Sequence, residues 1–190
     1  MEIPRRSQKG FTLIELTVAV ALFTVIMLVS VGALLSLVTA NRKARSLESV
    51  INNLNITLDG MVRGVRMGST YNCGGASVPS PSSGANCPDG ASTFSFAPYG
   101  SDVDVQSERF VYSFSNGQII RSTQGGSNAV AITAPEVTIT ELKFYVIGTI
   151  VGDVHQPKVV IVVKGTAGDT EKVRSTFHFQ ATGVQRTLDI

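Results

Sequence analysis

From Phe11 to Ala40 the chain runs for thirty residues with one charged side chain, Glu15. As a helix this run is about 45 Å long, against a hydrocarbon core of roughly 30 Å. A secretory signal peptide has a shorter apolar core, closed by small residues at a cleavage site. Here no clear small-x-small site follows before the basic cluster Arg42, Lys43 and Arg45. The run therefore predicts a membrane-spanning helix. The 190 residues leave room beside it for one modest extramembrane domain.

Charge is unevenly distributed. Residues 1–10 carry Arg5, Arg6 and Lys9 against Glu2, and account for the whole formal charge of +2. The remainder is neutral, with no sign of a nucleic-acid surface. Three basic residues precede the apolar run and three follow it, so the positive-inside bias is almost cancelled. The cysteines add a second indication of sidedness. Cys73 and Cys87 bracket "GGASVPSPSSGAN", a Gly/Pro/Ser loop that a covalent bridge would stabilise. In the chain-entropy model such a closure contributes on the order of 3 kcal/mol. Zinc is the competing reading, but two Cys with no nearby His or Cys make half a site. A disulfide places the C-terminal domain in an oxidising, extracytoplasmic compartment.

After residue 40 the pattern becomes a stripe. Ala44, Leu47, Ile51, Leu54, Leu58, Met61 and Val65 recur at steps of three and four. Arg45, Glu48, Asn52, Asn55, Asp59, Arg63 and Arg66 occupy the other side. This predicts an amphipathic helix continuous with the apolar one, with Gly32 as its weakest point, Gly60 and Gly64 as milder ones and Gly68 as its stop. Strand signals follow at 93–96, 109–122, 137–148, 157–165 and 171–183. The second of these turns at Asn116-Gly117, a strong hairpin signal. The third slips in its alternation, as a bulge or early turn does. The fourth, nearly all β-branched, reads as a central strand. The expected fold is α+β: a long helix whose second half packs on an antiparallel sheet.

Glu15 is the residue that needs a reason. A carboxylate near the head of a spanning helix costs a few kcal/mol even on lenient insertion scales. It is either shallow decoration at the head-group level or it has a partner. If the chain were cut after Gly10, the new amine of Phe11 on a neighbouring helix, offset along the axis, could supply one.

The stretch "RRSQKG" followed by "FTLIELTVAVALFTVIMLVSVGALLSL" resembles the class III signal of type IV prepilins and type II secretion pseudopilins. The resemblance covers residues 5 to about 40. It implies a leader of residues 1–10, removed by a prepilin peptidase between Gly10 and Phe11, and N-methylation of Phe11. It further implies a role for Glu15 in assembly, a membrane and filament-core half-helix over 11–40, an amphipathic half over 41–67 and an extracytoplasmic β-rich domain over 68–190. The implied partners are the peptidase, other pilin or pseudopilin subunits, an inner-membrane assembly platform and membrane lipid. The subunit would begin as a single-pass inner-membrane protein and end in a periplasmic or cell-surface filament. Unlike many pilins, the apolar half contains no proline, and the cysteine pair comes directly after the helix rather than at the C-terminus.

Other chemistry is sparse. Asp102 and Asp104 in "SDVDVQSE" are weak metal candidates without EF-hand spacing, and a solvated turn is the favoured reading. His155 and His178 are far apart and lack ligand spacing, with His178 expected on one face of a strand. No GxSxG or other nucleophile motif appears, so neither a catalytic site nor a cofactor is expected. The expected function is a structural, minor subunit of a type IV pilus or type II secretion pseudopilus. The competing reading is a bitopic membrane protein whose β-rich adhesion or ligand-binding domain never polymerises.

Overall fold

No proline lies between Phe11 and Met67, and the chain forms one helix there: α1, Leu13–Met67, 55 residues. It passes through Gly32, Gly60 and Gly64 and ends before Gly68. The computed structural model describes residues 10–73, 84–150, 152, 155–168 and 174–187. The basic residues Arg5, Arg6 and Lys9, most of the loop between the cysteines (74–83) and the 169–173 stretch lie outside the described residues.

The chain divides into two compact units, Met1–Arg42 and Lys43–Ile190. In the first, the apolar window of α1 has a mean hydropathy of 2.7 and none of it is buried. In the second, α1 buries Val50, Leu54, Thr57, Leu58, Met61 and Val65. Two details of the expected stripe differ. Ile51 is 41% exposed while Val50 is buried, because at ~100° per residue Ile51 sits at the rim of the arc centred on Leu54, Met61 and Val65. Ala44 is exposed and Leu47 half-buried. All seven residues expected on the polar side are exposed.

Among the described residues the β domain contains two antiparallel sheets. Its strands are β1 Ser69–Cys73, β2 Cys87–Ala91, β3 Phe94–Ala97, β4 Phe110–Ser115, β5 Gln118–Ser122, β6 Val130–Ala131, β7 Val137–Ile147, β8 Lys158–Ala167 and β9 Ser175–Val184. One sheet has the order β1-β3-β4-β5-β6 and the other β2-β7-β8-β9. The β4–β5 hairpin closes at Asn116 and Gly117, with φ of 51° and 74°. Both residues need the left-handed region, which is why Asn-Gly is favoured there. In β7 the register shifts between Ile139 and Glu141. Val137 and Ile139 are buried before the shift, and Leu142, Phe144 and Val146 after it. A bulge thus restores the same face to the core. β8 is an inner strand, but its alternate residues Val160, Val162 and Lys164 are only half-buried, so one face of this sheet is partly open.

Aromatic rings join the two sheets. Phe94 of β3 stacks on Phe144 of β7 at 5.3 Å between centroids, and Phe96 lies 5.6 Å from Phe94. A disulfide between Cys73 and Cys87 makes a second link, from the end of β1 to the start of β2, with Cα atoms 6.3 Å apart. Tyr71 is buried, and its hydroxyl donates to the Val65 carbonyl at 2.6 Å. The same last-turn carbonyl also accepts the Gly68 N–H at 3.0 Å, so both of its acceptor positions are used at the helix end. Burial pushes the Tyr71 hydroxyl pKa well above the usual tyrosine range. The segment after β6 is fastened to α1 by Thr57, whose hydroxyl donates to the Ile132 carbonyl at 3.0 Å. Asn53 adds a second tie, accepting the Ala134 N–H at 3.1 Å. Arg109 is fully buried, and its guanidinium donates to the Thr70 hydroxyl at 3.0 Å and to the Thr70 carbonyl.

Two glycines of α1 and its exit make a paired test. A Cβ at Gly68 collides with the Phe96 ring and comes within 3.0 Å of the Ala97 carbonyl, whereas one at Gly60 meets nothing within 4 Å. Gly68→Ala should destabilise the domain by about 1–3 kcal/mol through overpacking. Gly60→Ala should stabilise it by about 0.5–1 kcal/mol through helix propensity. Denaturant unfolding followed by circular dichroism reads both signs.

Candidate functional site at the helix N-terminus

Gly10, Phe11 and Thr12 precede α1, and Thr12 is the cap residue of its first turn. The Thr12 hydroxyl accepts the Glu15 N–H at 3.3 Å and donates to Glu15 Oε2 at 2.9 Å. The Thr12 N–H donates to the same oxygen at 3.0 Å. Thr12 and Glu15 thus form a reciprocal capping box, which satisfies two N–H groups that a helix start leaves open. The negative side chain also sits at the positive end of the helix dipole. Phe11 is 90% exposed, and a Cβ added at Gly10 meets no atom within 4 Å.

This geometry adds a residue that the sequence reading passed over. "TLIE", residues 12–15, is the Thr-x-x-Glu signature of a capping box placed just ahead of an apolar run. The spacing alone pairs Glu15 with a partner three residues away on its own chain. The carboxylate bonds its own chain one residue from Phe11. An amine from a neighbouring helix therefore competes with Thr12 for Oε2, or takes the remaining lone pairs.

The other residues singled out lie in the Lys43–Ile190 unit. Asp102 and Asp104 are exposed in a loop whose carboxylates close its own turns. Asp102 Oδ1 accepts the Asp104 N–H at 3.0 Å, and Glu108 Oε2 accepts the Asp102 N–H at 2.9 Å. Among the described residues no three His, Cys, Asp or Glu side chains group as a metal site. His178 is exposed on β9, in register with Lys164 of β8. Lys164 donates to Glu141 at 2.8 Å, and this hydrogen bond lowers the Glu141 carboxyl pKa. His155 lines a depression of about 560 Å³ with Lys158 and Gln156.

Compared with known proteins, residues 5–31 match the family model described as the prokaryotic N-terminal methylation motif. That match spans Gly10, Phe11, Thr12 and Glu15. Neither the curated proteins nor the solved structures give a match.

The capping box has its own test. Thr12→Ala removes the hydroxyl and should weaken the first turn by about 0.5–2 kcal/mol. Hydrogen exchange of the amides of residues 13–16, in full-length protein in detergent micelles, should accelerate accordingly. Thr12→Ser should keep the wild-type rates. Equal exchange in Thr12→Ala would show that the cap contributes nothing.

Proposed function

We propose that this chain, which carries the N-terminal methylation motif and fits the type IV prepilin and pseudopilin family, is a minor structural subunit of a type IV pilus or type II secretion pseudopilus. The supporting observation is a helix half with an unburied apolar window that begins at Leu13, three residues after Gly10, and is headed by a carboxylate. Prepilin peptidase cuts between Gly10 and Phe11 and methylates Phe11. Among the described residues a Cβ at Gly10 meets no atom within 4 Å, which supports a role for this glycine other than packing. A glycine requirement at this position is then imposed by the enzyme that reads it. Exposure of Phe11 leaves the scissile bond open to that enzyme.

The subunit waits in the inner membrane as a single-pass protein, with residues 11–40 in lipid and 68–190 outside the cytoplasm. The Cys73–Cys87 disulfide supports that sidedness. An assembly platform then moves it into a filament, where the apolar halves of neighbouring subunits replace lipid. The Phe11 amine of one subunit meets Glu15 of another, and in low dielectric that pairing is strong. The nine strands among the described residues make an extended rather than a minimal β domain, which supports the minor over the major role.

Glu15 variants test this reading. Glu15→Leu makes the helix more apolar, so insertion is preserved and the Gly10–Phe11 bond is still cut. Its recovery in crosslinked filament fractions should fall severalfold against wild type at equal expression. Glu15→Asp, one methylene shorter, should fall less. Full recovery of Glu15→Leu would remove Glu15 from assembly.

A further inference from the structure

The extramembrane part of α1 and the β domain carry opposite charge. Residues 41–67 hold five Lys and Arg against two acidic residues, a net of +3. Residues 68–190 hold eight against ten, a net of −2. Arg42, Lys43 and Arg45 stand at the start of this segment, and Arg63 and Arg66 at the end of α1. Arg63, Arg66 and Arg186 line a surface depression of about 370 Å³ with Asp59 as the one acidic member. This patch is held in place. The Arg186 N–H donates to the Arg66 carbonyl at 2.9 Å, tying the segment after β9 to the last turn of the helix. Gln156 grips both flanks of Arg186, donating to the carbonyls of Gln185 at 3.1 Å and Thr187 at 2.6 Å. Asp59 stands four residues before Arg63 and offsets one charge, which leaves two arginines in excess.

The negative counterpart is the loop after β3. Asp102, Asp104 and Glu108 are exposed there within seven residues. Tyr99, three residues before Asp102, is 80% exposed and lines a second depression with Met67, Arg186 and Thr187. Tyr99 thus carries the chain from the arginine depression into the acidic loop. Among the described residues no ion pair joins them to each other or to any other side chain. The ion pair described is Lys164–Glu141, on the open face of the other sheet.

We propose that Arg63, Arg66 and Arg186 dock the acidic 102–108 loop of a second copy of this chain. The inference rests on the filament reading above and specifies how copies meet outside the membrane. Arginine suits the task, because its planar fork pairs two-pronged with carboxylates. A contact between unlike patches is heterologous, so it joins two copies head to tail and needs no symmetric partner surface. Complementary charge sets register and encounter rate more than raw affinity, which fits subunits already concentrated in one membrane. A nucleic acid is the alternative anion, but the β domain is net acidic and the same chain supplies a matching acidic loop.

The test uses the full-length chain with two distinguishable tags, in cells with an active prepilin peptidase and assembly machinery. A photo-crosslinking amino acid at Tyr99 reports contacts between copies, and N-terminal mass analysis reports processing in the same samples. Arg63→Glu with Arg66→Glu should lower the crosslink yield at least about fivefold, as should Asp102→Lys with Asp104→Lys. Co-expressing the two variants should restore the yield, because each patch again meets its opposite. Processed wild-type protein that crosslinks, with reversals that change nothing or a mixture that is not rescued, overturns the docking alone. Chains that still begin at Met1 and do not crosslink overturn the filament reading, and the docking with it. Loss of single-stranded oligonucleotide binding by Arg63→Glu with Arg66→Glu, with crosslinking intact, reassigns the patch to nucleic acid and also overturns the docking.

Discussion

A helix half whose apolar window is unburied must be covered by something else. Eighteen large apolar side chains between Phe11 and Val38 are exposed. At about 1.5–3 kcal/mol each, leaving them in water costs tens of kcal/mol, several times the stability of a typical domain. Lipid removes that cost, and so does a bundle of identical helices. The sequence around Glu15 is consistent with both environments. In lipid the carboxylate is served by Thr12 of its own first turn. In a bundle an amine from another chain can join it.

The second half of α1 solves the same burial problem within the chain. Leu54, Leu58, Met61 and Val65 face the β domain, and Tyr71 and Gly68 fit the chain tightly around the helix end. The division between the units falls at Arg42–Lys43, where basic side chains mark the end of the apolar run. One helix thus serves two solvents. Its polar face, exposed along 45–66, is left for contacts that the domain does not make.

Long and periodic features were legible in the sequence. The helix, its stop at Gly68, the Asn116-Gly117 hairpin and the inner position of β8 all follow from local chemistry. The slip in β7 resolves as a bulge. What stayed hidden depends on non-local pairing or on short strands. β1 is five residues long and carries no alternation clear enough to read. β2, "CPDGA", has a proline and a glycine and reads as a turn. β6 has two residues. Without these, the split into two sheets could not be foreseen, nor could the stacking of Phe94 on Phe144 that joins them. At the candidate site Gly10, Phe11 and Glu15 stand out by charge and position, while Thr12 is legible only through its spacing to Glu15. The arginine patch was unreadable for a different reason: Arg186 is more than a hundred residues from Arg66 and meets it only through the fold.

The central claim is that the apolar helix begins, in the working protein, at Phe11. Intact-mass and N-terminal peptide analysis of protein extracted from membranes of cells with an active prepilin peptidase measures this directly. The account predicts a chain that starts at Phe11 and carries one added methyl group on its N-terminal amine. A chain that retains Met1 through Gly10 under those conditions would contradict it.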